Sequence, residues 1–491
     1  MININLSSAQ LGLNVSDPLD NMSGEYAVQM DNLIPDTDGD RIRKGFVRVS
    51  SNPETVLIPV NVSGKEKIIA SNESKLRVYS IKDFSVAETS EKQYSSDEWV
   101  HCNFTDGAGL VHTFLANGVD VPLDYTDSLK DSTFTIPDGC KLDSPLSFKN
   151  RLYFVAGDFD ICYGAVQSIS GSLTKFSMGS YFKKGGKILT IANWTQDAGN
   201  GSDDLFVIIS TEGEVLIYKG LSPESDDWSM IGTFQIPKPI GKRCCSMLGA
   251  DLVVITEKGY LPLSDVLSNL RANRTSISKN INGIMRDKNK DKRWDIFFYA
   301  KEGLLIVNAP SNVSKYAYEQ HVLNFNTNAW CRFVGMSAES WCVVGNRAFF
   351  CNGGGIFEAF TGYTDNGQPI VYQVQRAYNQ FGTPYKKQLV RLVPRYYAVG
   401  VPELYKKVNV DFNDGKKSII NVSQQSGVSS YWDEAIWDDA FWSDEFNSFS
   451  TRAGVTSKAG NYISVGYWGR TKQEIVLFSS GLIIKNGKGH I

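Results

Sequence analysis

The stretch DDLFVIISTEGEVLIYKG, residues 203–220, contains two short apolar runs separated by a tight turn. Five apolar residues stand together at 205–209, the turn Ser-Thr-Glu-Gly follows, and a second apolar run occupies residues 215–218. Strands that are apolar on both faces belong to sheets that are covered on both sides. The stretch therefore predicts a β-hairpin in a sheet that lies between two other sheets.

Similar runs of four to seven residues follow one another from about residue 50 to about residue 360, and Gly, Asn and Asp dominate the turns that join them. Three or four strands recur about every 40–50 residues, which is the period of propeller blades. One segment, LSDVLSNLRAN at 263–273, is typical of a helix, with Ser264 as its cap and Val266 and Leu270 on one face. We predict a β-propeller of six or seven blades, with a series of β-sandwiches as the alternative.

The composition is that of an all-β globular protein. The chain has 491 residues, a net charge of −3, 42% hydrophobic residues and 12% aromatic residues, and aromatic side chains are enriched in strands. This charge gives no overall basic field to attract nucleic acid. No apolar run reaches the roughly 18–20 residues that cross a bilayer. We therefore expect no membrane segment. The first residues lack the basic and apolar regions of a secretory signal, so we expect no such signal.

The character of the sequence changes at both ends of the strand-rich region. Residues 1–50 are polar and rich in loops, and they predict an N-terminal arm and entry strand before a propeller at 51–365. Within 366–491 the strands lengthen and alternate apolar with polar residues, which predicts a separate C-terminal β-sandwich-like domain. Residues 1–30 offer no strand with a clear partner, so we expect them to become ordered only on assembly.

The cysteines and histidines predict no metal, cofactor or disulfide. Eight cysteines are scattered without a CxxC pair, and the four histidines form no HxxxH pair. Zinc sites and disulfide frameworks have regular ligand or cysteine spacings. We interpret the cysteines as small buried hydrophobic residues of a chain that folds in a reducing compartment.

The segment DTDGDRIRKGFV has two interpretations. Asp36, Asp38 and Asp40 occupy positions 1, 3 and 5 of a calcium-binding loop of the EF-hand kind, but Arg41 replaces the glycine at position 6 and Val47 the glutamate at position 12. The alternative is an Asp/Gly turn that leads into a strand.

Other candidate motifs predict turns rather than chemistry. DKNKDKRWD, residues 287–295, mixes basic with acidic residues and predicts a solvated hairpin tip. CNGGGIFEAF and FKKGGKILT are rich in glycine but lack the strand–GxxxxGK[ST]–helix order of a phosphate-binding loop. No GxSxG elbow is present, and we predict no catalytic residues.

The segment YWDEAIWDDAFWSDEFNSF, residues 431–449, repeats a tryptophan every five residues. Trp432, Trp437 and Trp442 alternate with six acidic residues, a spacing that fits neither a helical stripe nor one face of a strand. The segment is either a surface loop whose indoles contact a partner, as tryptophans at interface hot spots do, or a connection that folds its indoles onto its own domain.

The sequence resembles the β-propeller head-completion and tail nozzle proteins of short-tailed bacteriophages. In that family an Asn-hydrophobic stretch and an Arg-x-Gly-Phe-like element precede the first blade, as NLIPDTDGDRIRKGFVRV (32–49) does here. An ordered series continues the resemblance over most of residues 30–400: LANGVDVPLDY (115–125), FKNRLYFVAG (148–157), DLFVIISTEGEVLIYKG (204–220), ADLVVITEKGYLPLSDV (250–266), NFNTNAWCRF (324–333) and VGNRAFFCNGGGIFEAFTG (344–362). The C-terminal domain is not part of the resemblance.

The resemblance implies a structural virion protein. In that family copies of the chain, usually six, form a ring below the portal and adaptor rings. The ring extends the DNA channel, retains the packaged genome until DNA ejection and carries tail spikes or fibres. The resemblance therefore implies a homo-hexamer in the virion tail, assembled in host cytoplasm, with double-stranded DNA passing through without specific binding. It brings no catalytic residues, so we expect the chain not to be an enzyme.

Three other functions stay open at this point. A carbohydrate-binding or glycan-hydrolysing β-propeller, such as a receptor-recognition tail protein, would place paired carboxylates near the propeller axis. A trimeric receptor-binding tail protein would carry fibrous repeats. A free-standing interaction propeller would lack the N-terminal arm and the C-terminal β domain.

Overall fold

The computed structural model describes residues 1–62, 64–72, 74–195, 204–268, 276–312, 317–399, 402–413, 420–421 and 459–487. The chain divides into two compact units. The first, which we call the propeller unit, comprises Arg48–Glu319 and Ser337–Ala359. The second, which we call the terminal unit, comprises Met1–Val47, Gln320–Met336 and Phe360–Ile491.

The propeller unit is built from seven groups of antiparallel strands in chain order, which we call blades 1 to 7; blades 1 to 5 are separate sheets, and the strands of blades 6 and 7 belong to one larger sheet. The strands are Val56–Val62, Lys65–Asn72, Lys75–Ser80 and Val86–Thr89 (blade 1); Val100–Thr105, Val111–Ala116, Leu123–Tyr125 and Leu129–Asp131 (blade 2); Leu142–Phe148, Arg151–Ala156, Asp160–Tyr163 and Thr174–Ser177 (blade 3); Ile188–Thr195, Asp204–Ser210, Glu214–Lys219 and Ser229–Gln235 (blade 4); Cys245–Leu248, Asp251–Thr256 and Gly259–Pro262 (blade 5); Asp295–Tyr299 and Leu304–Pro310 (blade 6); Ser340–Val344, Arg347–Asn352 and Gly355–Ala359 (blade 7).

The blades form a closed ring, so the predicted β-propeller is confirmed, with seven blades. The first strand of each blade contacts the next blade, and Ser340–Val344 of blade 7 contacts Val56–Val62 of blade 1. Apolar clusters fill the spaces between blades 1 and 2, 2 and 3, 3 and 4, and 7 and 1. Because each blade is covered on both faces, all five side chains of the run 205–209 are buried. Each such burial contributes about 1.5–3 kcal/mol.

The ring is completed by a strand from the N-terminal side of the chain. Phe46–Ser50 lies beside Gly355–Ala359 and becomes the outer strand of blade 7. A Cβ atom on Gly355 would lie 2.1 Å from the carbonyl oxygen of Ser50, and the φ of Gly355 is +134°. Only glycine satisfies both the close approach and this backbone conformation.

Few helical segments occur among the described residues. Leu263–Ser268 forms an α-helix, and Gly179–Tyr181 and Lys279–Asp287 form 3-10 helices. The predicted helix at 263–273 is therefore confirmed for its first half, and residues 269–275 lie outside the described residues. Thr133–Thr135 and Ser170–Ser172 form a short parallel pair.

The terminal unit contains two facing sheets, as predicted for a β-sandwich-like domain. Across them, the hydroxyl groups of Tyr467 and Ser480 are 2.7 Å apart, and Lys406 Nζ donates to the carbonyl oxygen of Leu392 at 3.0 Å. The strands are Ile2–Ser7, Leu33–Pro35, Asp40–Ile42, Lys387–Ala398, Ala459–Gly460 and Ile475–Asn486 in one sheet, and Ala27–Asp31, Ala329–Phe333, Thr364–Asp365, Gln368–Arg376, Glu403–Val410, Ile420–Asn421, Ile463–Thr471 and residues 320–324 of Tyr318–Asn324 in the other.

The predicted arm is part of this unit, and the expectation that residues 1–30 lack a partner strand is wrong. Ile2–Ser7 pairs with Ile475–Asn486, and Ala27–Asp31 pairs with Gln368–Arg376. The predicted boundaries of 1–50, 51–365 and 366–491 also differ from the observed units, because residues 1–47 and 320–336 join the C-terminal segment. Pairing between opposite ends of a chain leaves no local sequence pattern.

Candidate functional site

The first strands of the blades surround the propeller axis, and their starts converge at one end of it. Arg243, just before blade 5, crosses this end. Its Nη2 donates to the carbonyl oxygen of Trp99 in front of blade 2 at 2.7 Å, and its Nη1 contacts Asp295 of blade 6 at 3.2 Å and Ser340 of blade 7 at 3.1 Å. Because these blades are not all neighbours in the ring, Arg243 spans the axis.

Arg293, just before blade 6, forms a second link across the same end. Its Nη1 donates to the carbonyl oxygen of Thr55 in front of blade 1, and its Nη2 donates to Glu98 in front of blade 2, both at 2.6 Å. Lys242 pairs with Asp143 of blade 3. The entry segments of six blades are therefore tied together by charged side chains at the axis.

A cavity of about 190 Å³ lies among these side chains. We call it the axial cavity. Its charged lining residues are Glu98, Lys242, Arg243, Lys290, Asp291, Lys292 and Arg293, and Trp99, Val100, Leu189, Gly241 and Trp294 supply the remaining walls. The cavity therefore has five basic and two acidic side chains on its walls.

The ionisation of the neighbouring groups reflects this excess of positive charge. Burial opposes ionisation of Glu98, but the charges of Arg293, Arg243 and Lys242 outweigh it and lower the pKa of Glu98. Burial, followed by the charge of Arg243, lowers the pKa of His101 to about 3, so this imidazole is neutral at pH 7. Three carboxylates at this end are ion-paired, Glu98 with Arg293, Asp143 with Lys242 and Asp295 with Arg243, and burial raises the pKa of Asp295.

Exposed lysines stand on the entry segments of blades 4, 5 and 6, and two of them, Lys290 and Lys292, line the cavity. The six lysines are Lys183, Lys184, Lys187, Lys238, Lys290 and Lys292. Two of them have acidic partners, Lys238 with Glu212 at 2.7 Å and Lys290 with Glu257 at 3.1 Å. Among the described residues the side chains of the other four have no ion-pair partner. The entry segments of three successive blades, in a nearly neutral sequence, thus all carry exposed lysines.

Sequence reasoning missed this site. DKNKDKRWD was predicted to be a solvated hairpin tip, but it leads into blade 6, Lys288 is buried in an ion pair with Glu319, and Arg293 reaches the axis. FKKGGKILT is a turn, as predicted, and the backbone N–H groups of Lys183 and Lys184 both donate to buried Glu214 at 3.0 Å. The signal that was available is a cluster of basic residues just before the first strand in three successive repeats.

The opening element of the resemblance forms a buried clasp in the terminal unit. Arg43, which is fully buried, donates from Nη1 and Nη2 to the two carboxylate oxygens of Asp365 at 2.8 and 2.7 Å and from Nε to Asn32 Oδ1 at 2.8 Å. Asn32 Nδ2 donates to the carbonyl oxygens of Val334 and Val371 at 2.9 and 2.7 Å. A Cβ atom on Gly45 would lie 2.0 Å from the carbonyl oxygen of Thr364. The asparagine, arginine and glycine of this element therefore have structural roles.

The three aspartates of DTDGD do not form a common site. Leu33–Pro35 and Asp40–Ile42 form a hairpin whose turn contains Asp36 and Asp38, so the Asp/Gly turn interpretation is confirmed. Asp40 instead accepts hydrogen bonds from the backbone N–H of Ala9 at 3.1 and 3.2 Å. Among the described residues, no group of three or more His, Cys, Asp or Glu side chains is placed to hold a metal ion.

Asp40 makes the stability of the terminal unit depend on pH. Burial raises its pKa to about 6, against the charge of Arg376 and the hydrogen bond from Ala9. The folded state therefore binds more protons than the unfolded state between pH 4 and 6, and stability falls as pH rises through this window. A shift of about two units corresponds to on the order of 3 kcal/mol.

We expect the Asp40→Asn variant to lose this contribution, so its free energy of unfolding should fall less than that of the wild type between pH 4 and 7. Urea denaturation at a series of pH values measures the difference. Asp36→Asn, in the same hairpin, is the control and should keep the wild-type dependence. Parallel curves for the wild type and Asp40→Asn would contradict the assignment.

The remaining site predictions have different outcomes. Trp432, Trp437 and Trp442 lie outside the described residues, so their contact with a partner stays a prediction. All eight cysteines are free; five are buried and three, Cys102, Cys140 and Cys245, are partly buried. No helix among the described residues is long and apolar enough to cross a membrane.

Comparisons with known proteins give only distant likenesses. No family model and no curated protein matches the chain. Similar solved structures include BBS1N in complex with ARL6DN, at 9% identity over 65% of this chain and 97% of that chain with a TM-score of 0.42. The computationally designed Ika8 protein has 9% identity over 65% of this chain and 99% of its own, with a TM-score of 0.37. Likenesses at this level carry no functional information.

Proposed function

We propose that this protein is a structural component of a bacteriophage tail, of the nozzle or head-completion type, whose copies form a ring that extends the DNA channel. The observation that carries the proposal is the ordered series of sequence elements that resemble elements of that family. Four of them, at 115–125, 204–220, 250–266 and 344–362, fall on the second and third strands of blades 2, 4, 5 and 7, and the element at 148–157 falls on the second strand of blade 3. The series therefore follows the repeat of the fold.

Two structural features support a scaffold role. Arg243 and Arg293 lie across the propeller axis and form hydrogen bonds with several blades. These hydrogen bonds stiffen the ring. In the terminal unit, the opening element forms the clasp around Arg43 and draws together segments that are distant in the sequence. Rigid modules of this kind suit a protein that transmits load between neighbours in an assembly. In the proposed ring, portal and adaptor proteins lie on one side and spikes or fibres on the other.

The proposal predicts that the purified chain assembles into rings, six copies being the expected number. Sedimentation velocity over a concentration series and negative-stain microscopy measure the assembly, and antibodies against the chain should label the tails of virions. The Trp437→Ala variant should assemble less well, because removing an interface tryptophan costs on the order of 2 kcal/mol or more.

The matched control for Trp437→Ala is Trp468→Ala, at an indole that stacks on Tyr405 within the terminal unit. That variant should melt at a lower temperature than the wild type. If Trp437→Ala instead melts lower and assembles normally, the tryptophan segment belongs to its own domain. Absence of the chain from purified virions would contradict the proposed function itself.

A further inference from the structure

We propose that the axial cavity binds a ligand that carries a phosphate or sulfate group and is about the size of a hexose phosphate. This site goes beyond the proposed scaffold function and does not depend on it. The first argument is the wall of the cavity, which has five basic against two acidic side chains. Guanidinium groups match the geometry of tetrahedral oxyanions, and ammonium groups bind them as point charges.

The second argument is that the cations at the cavity keep hydrogen-bonding capacity. A guanidinium has five N–H donors. Arg293 uses two of its donors in the bonds to Thr55 and Glu98, so further N–H groups can reach a ligand.

The third argument is the approach to the cavity. Lys292 lines it, is exposed and has no ion-pair partner among the described residues, and Lys183, Lys184 and Lys187 stand exposed on the entry segment of blade 4. Lysines grouped at the mouth of a concave site raise the local concentration of anions and their association rate. The chain as a whole has a net charge of −3, so the attraction is local to this end of the propeller.

The size and shape of the cavity favour a small ligand over nucleic acid. A volume of about 190 Å³ holds one sugar ring or one to two phosphate groups, whereas a duplex needs a basic stripe that follows its backbone. A neutral sugar would leave the ammonium group of Lys292, which has no ion-pair partner among the described residues, without a counter-ion. The ligand is therefore a free sugar phosphate or a phosphorylated or sulfated unit of a glycan.

Isothermal titration calorimetry on the full-length protein tests this proposal. The probes are glucose 6-phosphate, glucose, a sulfated heparin tetrasaccharide and a short DNA duplex. We expect glucose 6-phosphate to bind and glucose not to bind, with affinity that falls as salt rises. Tighter binding of the tetrasaccharide than of glucose 6-phosphate would assign the site to a glycan, and the reverse order to a free metabolite.

Both variants change exposed lysine side chains, so we expect both proteins to fold. Lys292→Glu reverses an exposed, unpaired charge on the cavity and should weaken binding about tenfold. Lys301→Glu changes an exposed lysine in the turn between the two strands of the same blade, at its opposite end, and should bind as the wild type does. Circular dichroism confirms that both are folded.

Three outcomes would overturn the proposal. They are the absence of binding by either anionic sugar at about 10 mM, equal weakening by both lysine variants, and binding of the duplex alone, which would assign the surface to nucleic acid. Ring assembly is measured separately, so failure here leaves the tail function intact.

Discussion

Replacing Arg43 by methionine is expected to lower the free energy of unfolding of the terminal unit by about 3–5 kcal/mol, the usual cost of removing one partner of a buried ion pair. Arg43 is fully buried and holds both oxygens of Asp365, at 2.8 and 2.7 Å, together with Asn32 and the carbonyl oxygen of Val334. Methionine fills a similar volume but donates no hydrogen bond, so these acceptors lose their donors in a site that excludes water.

Urea unfolding followed by hydrogen exchange of peptides from residues 27–47 measures this effect locally. Arg41→Met is the matched control, because the side chain of Arg41 is 46% exposed and forms an ion pair with Asp36 of the same hairpin at 3.4 Å. Exposed pairs of this kind contribute less than about 1 kcal/mol. Arg43→Lys should give an intermediate loss, since it keeps the charge without the planar fork. Similar losses for Arg43→Met and Arg41→Met would show that the clasp contributes little.

Replacing Lys288 by methionine is expected to destabilise the propeller unit by a similar amount, about 3–5 kcal/mol. The side chains of Lys288 and Glu319 are 4% and 2% exposed and form an ion pair. Without the ammonium group, the carboxylate of Glu319 stays buried next to Tyr260, whose pKa it already helps to raise. The cost arises because an ionised carboxylate at this buried position needs a charged partner.

The double variant Lys288→Met/Glu319→Leu separates the ion pair from the packing. Well-packed hydrophobic replacements of a buried pair are often neutral, so the double variant should recover most of the stability that the single variant loses. Lys290→Met is the control, since Lys290 is exposed and pairs with Glu257 at 3.1 Å. A double variant that is less stable than Lys288→Met would contradict the account.

The blade pattern could be predicted from the sequence because its cause is local. Apolar runs such as 205–209, with turns between them, follow directly from strands covered on both faces. The number of blades was harder to predict, because blade 5 has three strands and the last strand of blade 7, Phe46–Ser50, precedes blade 1 in the sequence. Because the last strand of blade 7 comes from a distant part of the chain, the sequence repeat is interrupted at that blade.

The features that sequence reasoning missed depend on contacts between distant residues. The spacing of Asp40 from Asp36 and Asp38 matches a calcium-binding loop, yet its carboxylate accepts a hydrogen bond from the backbone N–H of Ala9. Arg243 and Arg293 are ordinary basic residues in their local context, and they form a site only because the ring brings their segments to one axis. The number of strand-pairing arrangements open to such segments is too large for local patterns to decide.

The outer strand of blade 7 has a consequence for how the protein is made. Ser50 leaves the ribosome about 300 residues before its neighbour Gly355, which at typical translation speeds is roughly 15–60 s. Throughout that time the growing chain carries an incomplete circle of sheets, with the face of blade 1 uncovered by blade 7 and the strand 46–50 unpaired. Unpaired edges recruit other chains. Synthesis of residues 340–359 therefore ends the period in which the nascent protein is most exposed to aggregation, and truncated products that stop before this point should require chaperones.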